Sequence, residues 1–138
     1  MKQLTSYYAC INDANIPSCY GITQHPKSKD YILVLQYANA GNLYECLQGS
    51  GLNEIRGISQ SDKHKILINI TQGLKAIDEA SLIHCDLHPG NILVHKTFVS
   101  SVSNVSGSFK SRDGYFIYDI YIRDLGMCYP PDTSLKTD

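Results

Sequence analysis

The sequence predicts an α+β domain, and three stretches carry that prediction. Tyr31-Ile-Leu-Val-Leu-Gln-Tyr37 is a seven-residue run, almost wholly apolar or aromatic and bounded by turn formers, which is the pattern of a strand. Ser61 to Ala80 places Ile66, Leu67, Ile70, Leu74 and Ile77 on one helical face. Tyr115-Phe-Ile-Tyr-Asp-Ile-Tyr-Ile122 is a second strand. At 138 residues with 43% hydrophobic content, the chain can close one sizeable core.

The remaining elements follow in chain order. Residues 1–13 have mild helical character. Cys19-Tyr-Gly-Ile-Thr23 is short and partly β-branched, and ends in the polar turn Gln24–Asp30. With the strand at 31–37 it forms an antiparallel hairpin with a loop of about seven residues. Ala38–Asn42 is a connector. Asn42 caps a short helix running to Gln48, and Gly49-Ser-Gly51 ends it. Ser61 caps the long helix, and Asp62 suits the positive end of its dipole. Gly73, inside that helix, suits a close approach by a neighbour. Lys96 to Arg112 is Ser-rich and poor in large apolar residues, the pattern of a mobile loop or a weak hairpin. The tail from Cys128 is turn-like.

Net charge is −1, and the Lys and Arg residues are scattered, so composition gives no reason to expect nucleic acid or an anionic membrane as a partner. No window approaches 18 apolar residues, and the first residues lack the apolar run of a signal peptide. The five cysteines are odd in number and none sits at C-x-x-C spacing. That pattern reads as reduced thiols and a cytoplasmic protein.

The chemistry concentrates in Ile83-His-Cys-Asp-Leu-His-Pro-Gly-Asn-Ile-Leu-Val94, a polar loop held between two apolar anchors. Asp86 and Asn91 lie within it, and Asp124-Leu-Gly126 follows the later strand. Three oxygen-bearing side chains at the ends of framed elements suit Mg²⁺, which keeps waters and shares phosphate oxygens. One of the two aspartates can instead accept a hydroxyl proton or orient a nucleophile.

His84-Cys-Asp86-Leu-His-Pro-Gly-Asn91 resembles the protein-kinase catalytic loop H-R-D-L-x-x-x-N, and Asp124-Leu-Gly126 is similar to D-F-G. The wording Asp-Leu-His-x-Gly-Asn most resembles the tyrosine-kinase-like branch. The resemblance covers nearly the whole chain and implies a partial protein-kinase-like fold, the end of the small-lobe sheet plus the helical start of the large lobe. Residues 1–37 would be a small-lobe remnant, 38–42 the hinge, and 43–138 part of the large lobe with a Ser-rich insertion at about 97–112.

The resemblance also implies roles. Asp86 would be the catalytic base, and Asn91 and Asp124 would hold Mg²⁺. Leu35 would be the gatekeeper, with Gln36, Tyr37 and Ala38 facing the adenine of ATP. Asn42 would lie near the ribose, and Leu93 would floor the adenine pocket. His88 stands where Ser/Thr kinases place a phosphate-contacting Lys. His84 and Leu125 would join the internal apolar column.

Departures from the pattern are equally definite. The sequence contains no G-x-G-x-x-G loop, no V-A-I-K strand with its phosphate-gripping Lys, no helix Glu to pair with that Lys, and no A-P-E after Asp124. The kinase domain therefore reads as truncated at both ends. Cys85 replaces the Arg that would meet a phosphorylated activation loop, so that switch is not expected. Thirty-three positions separate Asn91 from Asp124, more than twice the family's usual gap.

Read for structure alone, His84 is a buried structural histidine, Cys85 a small buried filler, and Leu35 and Leu93 core residues first. The leading function is γ-phosphoryl transfer from Mg-ATP to a Ser, Thr or Tyr hydroxyl of an unknown protein substrate, weak or absent in the isolated chain. The alternative is a pseudokinase-like binding module that transfers nothing. A gene fragment without a stable fold is the third reading.

Overall fold

The computed structural model describes residues 2–10, 12–48, 59–100, 114–128 and 130. Helix α1 (Lys2–Ala9) is followed by strands β1 (Cys19–Gln24) and β2 (Tyr31–Leu35), which pair antiparallel from Gln24↔Tyr31 to Cys19↔Leu35. A bulge between Cys19 and Gly21 shifts the register. The hairpin is as expected, but β2 stops at Leu35 and not at Tyr37, because Gln36 turns out of the ladder. The Gln36 N–H still donates to Ser18 O at 2.8 Å.

Helix α2 (Leu43–Gln48) starts at a reciprocal cap. Asn42 Oδ1 accepts from Glu45 N at 2.9 Å, and Asn42 N donates to Glu45 Oε2 at 3.3 Å. Two N–H groups that a helix start leaves open are thereby satisfied. The glycine-rich turn expected after Gln48 lies outside the described residues.

Helix α3 (Gln60–Glu79) is capped by Ser59 and not, as its sequence suggested, by Ser61. The Ser59 hydroxyl accepts from Asp62 N at 3.1 Å and donates to Asp62 Oδ2 at 2.7 Å. The Ser-x-x-Asp spacing forms this mutual bond only from position 59, which draws Ser61 into the first turn. Ile66 and Ile77 are buried, and Ile70 and Leu74 pack partly against the core. Leu67 is 60% exposed, contrary to expectation. One residue along a helix turns the side chain about 100° away, which carries Leu67 off the buried stripe.

Strands β3 (Ile92–Ser100) and β4 (Gly114–Ile122) pair antiparallel over their whole length, from Ile92↔Ile122 to Ser100↔Gly114. Of the two alternatives for the Ser-rich segment, a loop or a hairpin, residues 97–100 take the hairpin. Thr97, Phe98 and Val99 face Ile117, Phe116 and Tyr115, and the Phe98 and Phe116 rings lie 5.2 Å apart. These β-branched and aromatic pairs carry the ladder past the core. The rest of the expected insertion, 101–112, and the tail from 131 lie outside the described residues.

The core gathers where α3 crosses β4. Val94, Ile120, Ile122 and Leu125 have no accessible surface, and Ile77 has 1%. A Cβ on Gly73 would stand 2.8 Å from Ile122 Cδ1, so the missing side chain is what lets α3 sit this close to the strand. Asn15 ties the stretch after α1 to the same place. Its Nδ2 donates to Ile120 O and Asn69 Oδ1, each at 3.0 Å, and its carbonyl accepts from Ile122 N at 2.8 Å.

Candidate active site

The connector after β2 runs back along β3. Ala40 N donates to Val94 O at 3.0 Å and Val94 N donates to Gly41 O at 2.9 Å. Asn42 and Leu93 form a bridge, and Asn39 bonds the Lys96 backbone through both ends of its amide. Gly41 makes this path possible. Its φ is +79°, and a Cβ there would stand 2.6 Å from Glu45 Oε2.

Between β2 and β3 lies an open cleft of about 450 Å³, walled by Leu35, Gln36, Tyr37, Ala38, Asn42 and Leu93. These six are among the seven residues to which the resemblance assigned nucleotide contact; the seventh, His88, does not line this cleft. Gly41, Glu45 and Arg123 also line it and were not singled out from sequence. Ala38 is buried, whereas Tyr37 is 79% exposed. The Gln36 side chain accepts from Ser18 N at 3.2 Å and donates to the Tyr121 hydroxyl at 3.0 Å.

The polar loop is fixed by side-chain bonds to its own backbone. His84 is 4% exposed. Its Nδ1 accepts from Asp86 N at 3.2 Å, which leaves Nε2 to donate to Arg123 O at 2.9 Å. This pair of bonds corresponds to the tautomer with its proton on Nε2. The expectation of a buried structural histidine therefore holds. The one for Cys85 does not: Cys85 is exposed, with φ +63°. Because His84 is turned inward and held at both nitrogens, the following residue must bend outward in the left-handed region.

Asn91 ends the turn Pro89–Asn91 and is 4% exposed. Its Nδ2 donates to Asp86 O at 2.9 Å and lies 3.4 Å from Asp86 Oδ2, so its amide oxygen is the end left for another partner. The Asp86 side chain is about half exposed. His88 stands beside it, with Nε2 at 3.9 Å from Asp86 Oδ2 and Nδ1 accepting from Gly90 N at 3.1 Å.

Asp124 reaches this group through the sheet. Asn91 precedes Ile92, Arg123 follows Ile122, and those two isoleucines are register partners. Arg123 N donates to Asn91 O at 2.9 Å, extending the ladder by one bond. Asp124 then turns into the left-handed region at φ +64°, and its N–H donates to the Tyr7 hydroxyl at 3.1 Å. With Tyr7, Leu33, Leu35 and Arg123 it lines a second cavity of about 340 Å³. Leu35 and Arg123 are common to both cavities.

A family model described as protein tyrosine and serine/threonine kinase matches residues 2–114. The chain belongs to the protein kinase family. Among curated relatives it is similar to the serine/threonine-protein kinase TOS3 of Saccharomyces cerevisiae, 23% identical over 105 residues that make up 72% of this chain and 18% of the relative. It is also similar to the DYRK-family kinase pom1 of Schizosaccharomyces pombe, 29% identical over 70% of this chain and 9% of the relative. A third is the inhibitor of nuclear factor kappa-B kinase subunit epsilon of Mus musculus, 24% identical over 60% of this chain and 11% of the relative. The chain thus spans under a fifth of the length of each of these kinases.

Asp86, His88 and Asn91 are linked within the loop, and Asp124 follows Arg123, whose N–H bonds the Asn91 carbonyl. The oxygen donors of Asn91 and Asp124 fit a hard cation such as Mg²⁺. Among the described residues no three His, Cys, Asp or Glu side chains cluster as a metal cage, so a cation here would take further oxygens from water or a ligand. No helix of the described residues is long and apolar enough to cross a membrane. Tyr7 and Asn15 were not legible as site residues. Each acts over more than a hundred positions, Tyr7 on Asp124 and Asn15 on Ile120.

Proposed function

We propose that this chain carries the hinge, catalytic loop and metal-binding end of an ATP-dependent protein kinase site, and that its parent activity is γ-phosphoryl transfer to a protein hydroxyl. One observation carries this reading. The Arg123 N–H bonds the Asn91 carbonyl, so Asp124 follows directly on the residue tied to Asn91, and Leu35 and Arg123 line both the adenine-side cleft and the cavity that Asp124 lines. Backbone groups of 36–38 face adenine, Asn42 meets the ribose, and Leu93 underlies the base. Asn91 Oδ1 and the Asp124 carboxylate hold Mg²⁺, which when bound neutralises charge on the phosphates. Asp86 accepts the hydroxyl proton and orients the attacking oxygen. His88 Nε2–H donates to a phosphate oxygen. The wording of the loop from Asp86 to Asn91 supports the tyrosine-kinase-like branch, and the five unpaired thiols support a cytoplasmic setting.

Catalysis of phosphoryl transfer is mostly positioning and charge neutralisation. The 138-residue chain contains neither a glycine-rich phosphate loop nor the Lys that grips the phosphates. The chain by itself should therefore bind Mg-ATP weakly and transfer phosphate slowly or not at all. The second reading is a pseudokinase-like module that holds a partner without phosphoryl transfer.

Thermal denaturation with and without Mg-ATP separates the two. A ligand that binds only the folded state raises the melting point. The kinase reading expects a rise that Asp124→Asn removes, and any residual transfer to disappear in Asp86→Asn. No rise at millimolar Mg-ATP would favour the binding module. Turnover close to that of a complete kinase domain would overturn the expectation of low activity.

A further inference from the structure

We infer that Tyr7 is a positioning residue for Asp124: its hydroxyl, delivered by α1, holds the Asp124 backbone in the left-handed conformation from which the carboxylate serves the metal site. This rests on the functional reading above and adds to it a residue from a different element.

Four observations carry the inference. Tyr7 is 3% exposed and belongs to the hydrophobic core, so its ring cannot swing out to find water. Its hydroxyl oxygen lies 3.1 Å from Asp124 N and accepts that N–H. Asp124 has φ +64°, a conformation that costs energy in a residue with a side chain and persists only where the surroundings hold it. Tyr7 and Asp124 line the same cavity of about 340 Å³, where no backbone ladder continues to fix the strand exit. β4 ends at Ile122, and the last ladder-like bond is Arg123 N to Asn91 O. Beyond that point, the Tyr7 hydroxyl is what receives the next N–H.

A phenylalanine would fill the same volume and remove only the oxygen. The effect should fall on Asp124, and through it on the metal, and not on the adenine cleft.

The test is the affinity of the full chain for a fluorescent ATP analogue, measured with and without Mg²⁺, for the native protein, Tyr7→Phe and Asp124→Asn. The native chain should bind more tightly with Mg²⁺, and Asp124→Asn should lose that gain. Tyr7→Phe should lose about three- to tenfold of the gain, the size of one neutral hydrogen bond, while its metal-free affinity stays unchanged. A merely structural role would lower the melting point and leave the Mg²⁺ gain intact. Loss of the gain in Asp124→Asn with full retention in Tyr7→Phe overturns the inference and leaves the site reading standing. An Mg²⁺ gain untouched by Asp124→Asn overturns the site reading and this inference with it. Should Tyr7→Phe fold poorly, amide hydrogen exchange in the native chain decides: a protected Asp124 N–H supports the bond, and exchange at the free-peptide rate overturns it.

Discussion

Replacing His84 by Phe should destabilise the chain by about 2 kcal/mol, at roughly constant side-chain volume. The ring makes two bonds that Phe cannot, one from Asp86 N at 3.2 Å and one to Arg123 O at 2.9 Å. A net neutral hydrogen bond is worth about 1 kcal/mol, and an orphaned buried group costs up to about 3. Asp86 and Arg123 are both exposed residues, so water can reach the groups that lose their partner, and the lower figure applies to each. His84→Ala should cost about 1–2 kcal/mol more, because it also leaves the space of a buried ring unfilled. The assay is urea denaturation followed by far-UV circular dichroism, since the chain has no Trp to report tertiary change. A His84→Phe midpoint equal to that of the native chain would refute the claim that this ring ties the loop to the strand exit.

Two further outcomes follow from packing and ionisation. Gly73→Ala should destabilise by about 1–2 kcal/mol despite a gain in helix propensity of about 1, because the new methyl meets the fully buried Ile122 Cδ1 at 2.8 Å. Adding Ile122→Val removes that atom, so a double-mutant cycle by urea denaturation should show a favourable coupling, and strict additivity would contradict the close approach. Burial raises the Cys128 thiol from 9.0 to about 11, with Cys10, Cys85 and Asp124 adding to the rise. Such a group binds its proton more tightly folded than unfolded, so its stabilisation is complete below pH 9 and is lost as pH rises towards 11. Burial moves Cys10, Cys46, Tyr7, Tyr118 and Tyr121 in the same direction. The urea midpoint should fall as pH rises from 9 towards 11, less steeply in Cys128→Ala; a flat profile would contradict the burial of these groups.

The elements themselves were legible because their causes are local. The alternation and aromatic content of 31–35 and 115–122 are properties of neighbouring residues, as is the apolar stripe of α3. The spacing of His84, Asp86 and Asn91 was equally readable, since one short loop holds all three. Local rules failed where two adjacent solutions compete. Ser59 and Ser61 both suit a cap, and only the Asp62 side chain selects the first. Cys85 has the composition of a core residue, yet the inward bonds of His84 turn it out to solvent. The strand residues 97–100 hid within a Ser-rich segment because their partners, 114–117, lie beyond it in sequence.

The sequence by itself determined the α+β class, the kinase-type loop and six of the residues that wall the cleft. Tertiary structure alone decided that Arg123 bonds Asn91, that Tyr7 meets Asp124 across 117 positions, and that Asn15 locks onto β4. The reason is physical. Backbone propensity and side-chain periodicity act over a few residues, whereas these contacts depend on the β3–β4 register and on how closely α3 approaches the sheet at Gly73.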